Sequence, residues 1–342
     1  MRRFRRFAGI LTGVLALSLV AAACGDDGGG TDEPVSSLSG TVNISGSSTV
    51  LPIANAVAAT FNAANPNVGI RVDGPGTGDG MALFCTGDID IADASRPIDE
   101  EDEVPVCEEN GIEYVELEIA LDGVTVMTSP ENSVECLNNG DLYALFGPES
   151  TGIDTWNGAD DLASQVGGTG GFPDESLEIT APGEESGTYD AFIDLAGIED
   201  VALEQGVPED EAASLRGDYT PSADDNVIIT AMESSAGSLG FVGFAYAQSA
   251  GEGVKEIQVD GGEGCVAPTA DTIADGSYPL SRSLYIYVNT TKAAENPAVA
   301  AFVDTFLSEA GTTEAVTATG YVVLPADRIA ASQAAWDEVA PA

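Results

Sequence analysis

The chain has 342 residues, with 57 acidic residues against 11 basic ones and no histidine, so its formal net charge is −46. Such an acidic chain argues against a nucleic-acid partner, because contacts to a phosphate backbone need Lys and Arg. The absence of histidine and of any Cys-x-x-Cys pair argues against a zinc site, and the sequence predicts no metal and no cofactor. With 44% hydrophobic residues, the composition is that of a folded globular protein.

The N-terminus predicts export. Arginines at four of the first six positions precede an uncharged apolar stretch at 10–20, and Ala21-Ala22-Ala23 leads to Cys24. This pattern is typical of a secretory signal peptide and is too short for a membrane span. We predict a signal peptide over 1–23, lipidation of Cys24 and attachment to the outer face of the cell membrane. The alternative is cleavage near Ala23 without a lipid.

Residues 24–39 are predicted to be a flexible tether, because they are rich in Gly and acidic residues and offer little to pack. The 319 residues that follow the signal peptide suit two domains or one large one. No later stretch is long and apolar enough to cross a bilayer.

Strand and helix patterns alternate along the mature chain. Strands are predicted at 41–45, 68–72, 89–92, 119–128 (one strand or a pair), 177–181, 238–242, 254–259 and 284–288. Helices are predicted at 53–61, through Met81 and Phe84, at 141–146, 189–196, 226–234, 297–307 and 327–336. This alternation predicts parallel α/β layers.

Three loops of Gly, Ser and Thr each follow a strand and open a helix. A helix N-terminus offers unpaired backbone amides and a positive dipole end, so it holds anions well. The alternative for each loop is an ordinary N-cap. The loops are Gly46-Ser47-Ser48-Thr49, Gly76-Thr77-Gly78-Asp79-Gly80 and Ser186-Gly187-Thr188.

Arg96 is one of only seven basic residues that remain after the signal peptide. It follows a predicted strand, at the sheet edge where open α/β folds bind ligands. Its planar fork suits a tetrahedral oxyanion. The alternative is a surface arginine paired with Asp99, Glu100 or Glu101.

The chain resembles the phosphate-binding protein of the bacterial high-affinity phosphate ABC transporter, from about residue 42 to about residue 325. The resemblance rests on many segments in the same order. They are Gly-Ser-Ser-Thr at 46–49, Ala-Ser-Arg-Pro-Ile at 94–98, Asp122-Gly123, Ser-Gly-Thr at 186–188, Asp-Tyr-Thr at 218–220, Asp-Asp-Asn at 224–226, Gly-Phe-Val-Gly-Phe-Ala-Tyr at 240–246, Gly-Cys-Val-Ala-Pro at 264–268 and Tyr-Pro-Leu-Ser-Arg at 278–282.

The resemblance implies an α/β, two-lobed periplasmic-binding-protein fold of type II, with a ligand cleft between the lobes and two hinge crossings. The implied first lobe covers 40–125 and 283–342, and the second covers 126–282. This division implies the disulfides Cys85–Cys107 and Cys136–Cys265, whereas free buried thiols are the alternative.

The resemblance also implies the residues that bind phosphate. They are Ser48, Thr49, the Val50 amide, Thr77, Ser186, Gly187 and Thr188, and we add Ser95, Arg96 and Asp122 to the predicted phosphate site. Well-known members have an aspartate at the position of Arg96 and an arginine at the position of Pro182, so the positive charge has moved. Asp122 is the expected proton acceptor or the partner of Arg96, with a turn aspartate as the alternative. Asp79 replaces a usual glycine and would weaken binding unless it points away.

The implied function is capture of inorganic phosphate outside the cytoplasmic membrane and delivery to the permease subunits of an ABC importer, without catalysis. Three alternatives remain: a binding protein for sulfate, molybdate or a similar oxyanion, a secreted phosphatase-like enzyme, and a surface sensor. An acceptor carboxylate would favour phosphate, which keeps a proton near neutral pH, over sulfate.

Overall fold

The structure is a computed structural model, and it describes residues 38–184 and 186–341. The predicted signal peptide over 1–23, the lipidation of Cys24 and most of the tether lie outside these residues. Within them, none of the helices combines the length and the hydrophobicity that a membrane span requires.

The strands are numbered in chain order. They are β1 Gly40–Gly46, β2 Val68–Asp73, β3 Ile91–Ala94, β4 Tyr114–Thr128, β5 Cys136–Asn138, β6 Glu178–Ala181, β7 Thr220–Pro221, β8 Ser238–Gly243, β9 Lys255–Glu256, β10 Gln258–Asp260, β11 Cys265–Val266 and β12 Ser281–Asn289. The predicted strands overlap these elements, with the third shifted by two residues to Ile91–Ala94.

The helices are numbered in the same way. They are α1 Leu51–Ala64, α2 Thr77–Cys85, α3 Val104–Glu109, α4 Asn139–Phe146, α5 Asp160–Gln165, α6 Gly187–Leu195, α7 Ile198–Gln205, α8 Glu209–Ala212, α9 Asp225–Met232, α10 Phe244–Ala250, α11 Ala270–Ala274, α12 Thr290–Glu295, α13 Pro297–Phe306, α14 Val316–Ala318 and α15 Ala326–Val339. Short 3₁₀ turns lie at Pro148–Ser150, Trp156–Ala159 and Gly251–Gly253, and a π-helical turn at Ala310–Ala315.

One large sheet runs through both halves of the molecule in the order β2-β1-β3-β12-β4-β8-β6-β7. The long strand β4 joins the halves, because Tyr114–Gly123 pairs with β12 and Val124–Thr128 pairs with β8. The chain returns through β12, where Arg282 pairs directly with Asp122. Two crossing strands therefore lie side by side at the junction of the halves.

The predicted parallel arrangement holds for the two outer parts of the sheet but not for its centre. Strands β1, β2 and β3 are parallel, as are β6, β7 and β8, but β12 runs antiparallel to β3 and β4, and β4 runs antiparallel to β8. Because β4 leaves the first half and β12 returns to it, the two must run in opposite directions. The sheet is consequently mixed, with parallel strands toward both edges.

The predicted strand at 254–259 is split. Lys255–Glu256 pairs with β4, whereas Gln258–Asp260 pairs with β5 and β11 in a separate three-stranded sheet. The chain changes partner at Ile257, which is fully buried. An apolar run cannot reveal a change of partner, because both short strands carry the same pattern.

Both predicted disulfides are confirmed. Cys85 at the end of α2 bonds to Cys107 in α3. Cys136 in β5 bonds to Cys265 in β11, and these two strands flank β10. The second bridge closes the small sheet across its width.

Each half of the sheet has its own apolar core. In the first half, α1 and α13 pack on the sheet, and the rings of Phe61 and Phe302 meet edge to face with centroids 5.5 Å apart. In the second half, Phe192 of α6 stacks on Phe241 of β8 at 4.0 Å. Helices α1 and α6 are thereby fixed to opposite halves, and their N-termini lie at the candidate site.

Candidate functional site

The first loop turns sharply out of β1. Gly46 has φ +148°, and a Cβ atom there would lie 2.0 Å from the backbone oxygen of Asp93, so only glycine fits. The next residue, Ser47, donates its amide to that oxygen at 2.8 Å. Its side-chain Oγ accepts from the amides of Thr49 at 3.2 Å and Val50 at 3.4 Å. Ser47 thus caps the turn at 47–50 that leads into α1, in the manner that the alternative interpretation expects.

The segments that follow β2 and β3 meet through hydroxyl groups. Thr77, the first residue of α2, lies 3.1 Å from the hydroxyl of Ser95, and its Oγ1 also accepts from the Ser95 amide at 3.1 Å. Strands β2 and β3 flank β1, so the carboxyl ends of the three strands lie at one edge. This edge is where open α/β sheets bind ligands.

Arg96 lies beside these hydroxyls but faces a partner of its own. Its guanidinium donates to both carboxylate oxygens of Glu103, at 2.9 and 2.7 Å. The Arg96 side chain is 44% exposed, and the bond to Glu103 raises the pKa of Arg96. The prediction of Asp122 as the partner of Arg96 is wrong, because β3 and its loop bring Glu103 there instead.

The Ser-Gly-Thr loop lies against the first loop. The hydroxyl of Thr49 donates to the backbone oxygen of Gly187 at 3.3 Å, and a Cβ atom at Gly187 would lie 3.0 Å from the Cα of Thr49. A side chain there would press on the opposite backbone, which explains the glycine. Ser186 caps α6, since its Oγ accepts from the Thr188 amide at 3.2 Å.

A cavity of about 540 Å³ opens between these elements. Its lining includes five residues predicted for the site: Ser48, Thr49, Thr77, Ser95 and Arg96. The opposite wall supplies carboxylates. They are Asp190 and Asp194 from α6 and Glu199 from α7. Asp190 accepts a hydrogen bond from the Ser48 hydroxyl at 2.6 Å, so the two walls already touch.

The remaining predicted residues lie beside this cavity. Ser186, Gly187 and Thr188 line a neighbouring cavity of about 410 Å³, together with Tyr246 and Tyr321. The Val50 side chain is fully buried, and its amide donates to Ser47. Asp79 is exposed and does not line the 540 Å³ cavity. The structure therefore brings five of the ten residues to one cavity and the Ser-Gly-Thr loop to its edge.

Asp122 lies behind the cavity rather than in it. It is 2% exposed, and its Oδ2 lies 3.6 Å from the Nε of Arg282, which makes an ion pair without a hydrogen bond. Burial raises the pKa of Asp122, and the positive charge of Arg282 opposes that rise. Asp122 is thus a buried group that faces a cation and is more than the turn aspartate of the alternative interpretation.

Arg282 is the cation of the site that sequence reasoning missed, as it also missed the three carboxylates of the opposite wall. Its side chain is 11% exposed and lines the cavity, where it donates to Asp194 at 2.5 Å and to the Thr49 hydroxyl at 3.1 Å. The available signal was an arginine at the start of a returning strand, in a chain with very few cations. No local pattern links Arg282 to Asp122, from which it is 160 positions away.

Asp93, at the end of β3, is a buried residue that sequence reasoning did not single out. It is 0% exposed, and within residues 38–184 and 186–341 neither of its carboxylate oxygens has a hydrogen-bond partner. Burial raises its pKa to about 8. An unpaired carboxyl in the core avoids the cost of a buried charge by keeping its proton.

The carboxylates of the described residues do not form a metal site, because no group of three or more His, Cys, Asp or Glu side chains is placed to hold an ion there. The groups that converge on the cavity are hydroxyls, two guanidiniums and separate carboxylates. Such a set can donate hydrogen bonds to the oxygens of an anion and accept one from its hydroxyl group.

A sequence model of the PBP superfamily domain matches residues 31–310. The chain belongs to the PBP superfamily. Protein SphX of Synechocystis sp. is 40% identical to it over 295 residues, which are 85% of this chain and 80% of SphX. The phosphate-binding protein PstS of Staphylococcus aureus is 32% identical over 318 residues, which are 92% of this chain and 87% of PstS. Within the superfamily, the chain belongs to the family of the phosphate-binding protein PstS.

Solved structures agree with this assignment. A possible phosphate binding protein from Planctomyces limnophilus superimposes with a TM-score of 0.78 at 34% identity, over 89% of this chain and 99% of that one. An ABC-type phosphate transport receptor from Vibrio cholerae gives 0.58 at 25% identity, over 83% and 100%. The predicted family and the predicted periplasmic-binding-protein fold are confirmed.

Proposed function

We propose that this protein binds inorganic phosphate outside the cytoplasmic membrane and delivers it to the permease subunits of an ABC importer. The observation that carries the proposal is the convergence of Thr49, Thr77 and Arg96 on one cavity. The names of its relatives in the PBP superfamily point to the same ligand. The chemistry of the two walls supports it further.

The first wall of the cavity, called the donor wall below, suits a tetrahedral oxyanion. It is formed by Ser48, Thr49, Thr77, Ser95 and Arg96. Helices α1 and α2, of 14 and 9 residues, begin at the cavity, so their positive dipole ends point toward it. The hydroxyls of Ser48, Thr49, Thr77 and Ser95 are small, neutral donors that can surround four oxygens. Neutral donors are valuable in a protein whose net charge is −46, because they bind an anion without needing many cations.

The second wall of the cavity, called the acidic wall below, favours phosphate over sulfate. Asp190, Asp194 and Glu199 are acceptors, and a fully ionised anion would meet them only with repulsion. Phosphate near neutral pH keeps a proton that it can donate to one of them. We propose Asp190 as this acceptor, because its carboxylate already lies 2.6 Å from the hydroxyl of Ser48 on the donor wall.

Transport requires that the two walls separate and close. We propose that the halves move about the paired strands β4 and β12, with lobes that cover 40–125 and 283–342 on one side and 126–282 on the other. The contacts of Ser48 with Asp190 and of Thr49 with Gly187 span these two lobes. Such hinge closure around a ligand is the usual motion of two-lobed binding proteins.

A lipid on Cys24 would hold the protein at the outer face of the membrane, and residues 24–39 would give it reach toward the permease. The signal-like N-terminus, with Cys24 directly after Ala21-Ala22-Ala23, supports this proposal. Radiolabelled palmitate incorporation would test it. The Cys24→Ser variant should lose the label and leave the cell surface, whereas label retained in that variant would contradict the proposal.

Calorimetry tests the binding function. The purified protein is first unfolded to remove bound phosphate and then refolded. It should bind phosphate at one site per chain and bind sulfate much more weakly. The two anions should be compared at about pH 6 and about pH 8. Equal binding of both anions would indicate a general oxyanion carrier, and no binding of either would contradict the proposed function.

A further inference from the structure

Two cations line the cavity, and they differ in their surroundings. Arg96 is 44% exposed and held by both oxygens of Glu103, so its charge is largely compensated at the surface. Arg282 is 11% exposed and reaches into the space between the walls. A buried guanidinium interacts more strongly with an anion than an exposed one, because solvent screens it less.

Arg282 contacts all three parts that meet at the cavity. Its backbone pairs with Asp122 across the two crossing strands, and its Nε faces that carboxylate at 3.6 Å. One terminal nitrogen donates to Thr49 on the donor wall, and the other donates to Asp194 on the acidic wall. The side chain therefore lies where the paired strands β4 and β12, the loop at 46–49 and the helix α6 come together.

The partner on the acidic wall is weakly held. The Asp194 side chain is 68% exposed, and its contact with Arg282 is a single hydrogen bond of 2.5 Å. Asp122, by contrast, is buried behind Arg282 and fixed by the strand pairing. Because a guanidinium donates equally well to a carboxylate and to a phosphate oxygen, Asp194 takes a donor of Arg282 that an anionic ligand could use.

We propose that Arg282 is a ligand-binding residue of this cavity and that the carboxylate of Asp194 occupies the anion's place on it when the cavity is empty. The proposal rests on the phosphate-binding function proposed above. Phosphate would replace Asp194 on the guanidinium, while Asp122 keeps Arg282 in position. Asp194 then competes with the ligand, so the two residues affect affinity in opposite directions.

Opposite effects of two variants test this proposal by phosphate calorimetry. Arg282→Gln should bind phosphate about 10- to 100-fold more weakly, because it removes a charged hydrogen-bond donor. Asp194→Asn should bind about two- to fivefold more tightly, since an exposed ion pair contributes little more than that. Arg71→Gln and Asp200→Asn are the controls, because they remove the same charges at exposed positions that do not line the cavity.

The double variant separates local competition from a general change of charge. In the Arg282→Gln background, Asp194→Asn should change phosphate affinity no more than Asp200→Asn does. Arg282→Lys, which keeps the charge, covers the case in which Arg282→Gln does not fold, and it should still bind more weakly than the wild type. If the wild type binds phosphate but the Arg282 and Asp194 variants behave like their controls, the inference is overturned and the proposed function stands. If the wild type does not bind phosphate, the proposed function fails first.

Discussion

The two walls of the cavity carry opposite chemistry. The wall from the first half of the sheet offers hydroxyls, helix N-termini and Arg96, whereas the wall from α6 and α7 offers Asp190, Asp194 and Glu199. Arg282 lies between them and donates to both. We propose that this difference separates two roles in the anion site of a very acidic protein, with donors for the anion's oxygens on one side and acceptors for its proton on the other.

The largest expected effect concerns a carboxyl behind the donor wall. Asp93 accepts from Ser47 through its backbone oxygen, and its side chain is buried without a partner among residues 38–184 and 186–341. If Asp93 were ionised at neutral pH, a negative charge would be buried directly behind the donor wall. The difference in charge between the two walls would then be smaller. Its pKa of about 8 implies that it is neutral in the folded state.

Asp93 therefore makes stability fall as pH rises. The folded protein keeps this proton up to about pH 8, but the unfolded chain loses it near the ordinary value of 3.8, so unfolding releases a proton between these limits. Relative to Asp93→Asn, the wild type should lose about 3 kcal/mol of unfolding free energy from pH 5 to pH 7.

Urea unfolding at several pH values measures this slope, and the exposed Asp79→Asn variant is the control. The slope is informative even if Asp93→Asn lowers stability at every pH. Parallel curves for Asp93→Asn and the wild type would show that Asp93 is ionised in the folded protein.

The second effect concerns the exposed cation of the donor wall. Arg96→Ala should weaken phosphate binding about 10- to 100-fold and leave Glu103 without its partner, because a bidentate charged donor is lost. Calorimetry measures the loss, and near-ultraviolet circular dichroism checks the fold. Arg71→Ala is the matched control. Wild-type affinity in Arg96→Ala would mean that Arg96 only pairs with Glu103 and is not part of the site.

The smallest effect concerns selectivity at the acidic wall. Asp190→Asn removes the proposed acceptor, so the preference for phosphate over sulfate should fall about tenfold, mainly through better sulfate binding. Competition titrations of the two anions measure this ratio, and Asp200→Asn is the control. An unchanged ratio would leave Asp194 or Glu199 as the acceptor.

Local patterns in the sequence predicted much of the donor wall. Strand β1, helix α1 and the loop between them follow from a period of two, a period of 3.6 and a run of Gly and Ser. Those features are properties of neighbouring residues. Thr49, Thr77 and Ser95 could therefore be placed at strand ends without any structure.

The acidic wall and the junction could not be predicted in this way. Asp190 and Asp194 look like ordinary solvent-facing positions of an amphipathic helix, and only the packing of α6 against the first loop turns them toward the cavity. Arg282 depends on the antiparallel pairing of β12 with β4, which joins residues 160 positions apart. Which strand pairs with which is decided by the whole fold, as the change of partner at Ile257 also shows.

A structure of the refolded protein with bound phosphate tests the central claim most directly. We expect one tetrahedral anion in the 540 Å³ cavity, in contact with the hydroxyls of Thr49 and Thr77 and with the guanidinium of Arg282, while Asp194 has moved away from that guanidinium. An anion bound elsewhere, or an Arg282–Asp194 contact that persists beside the bound anion, would contradict it.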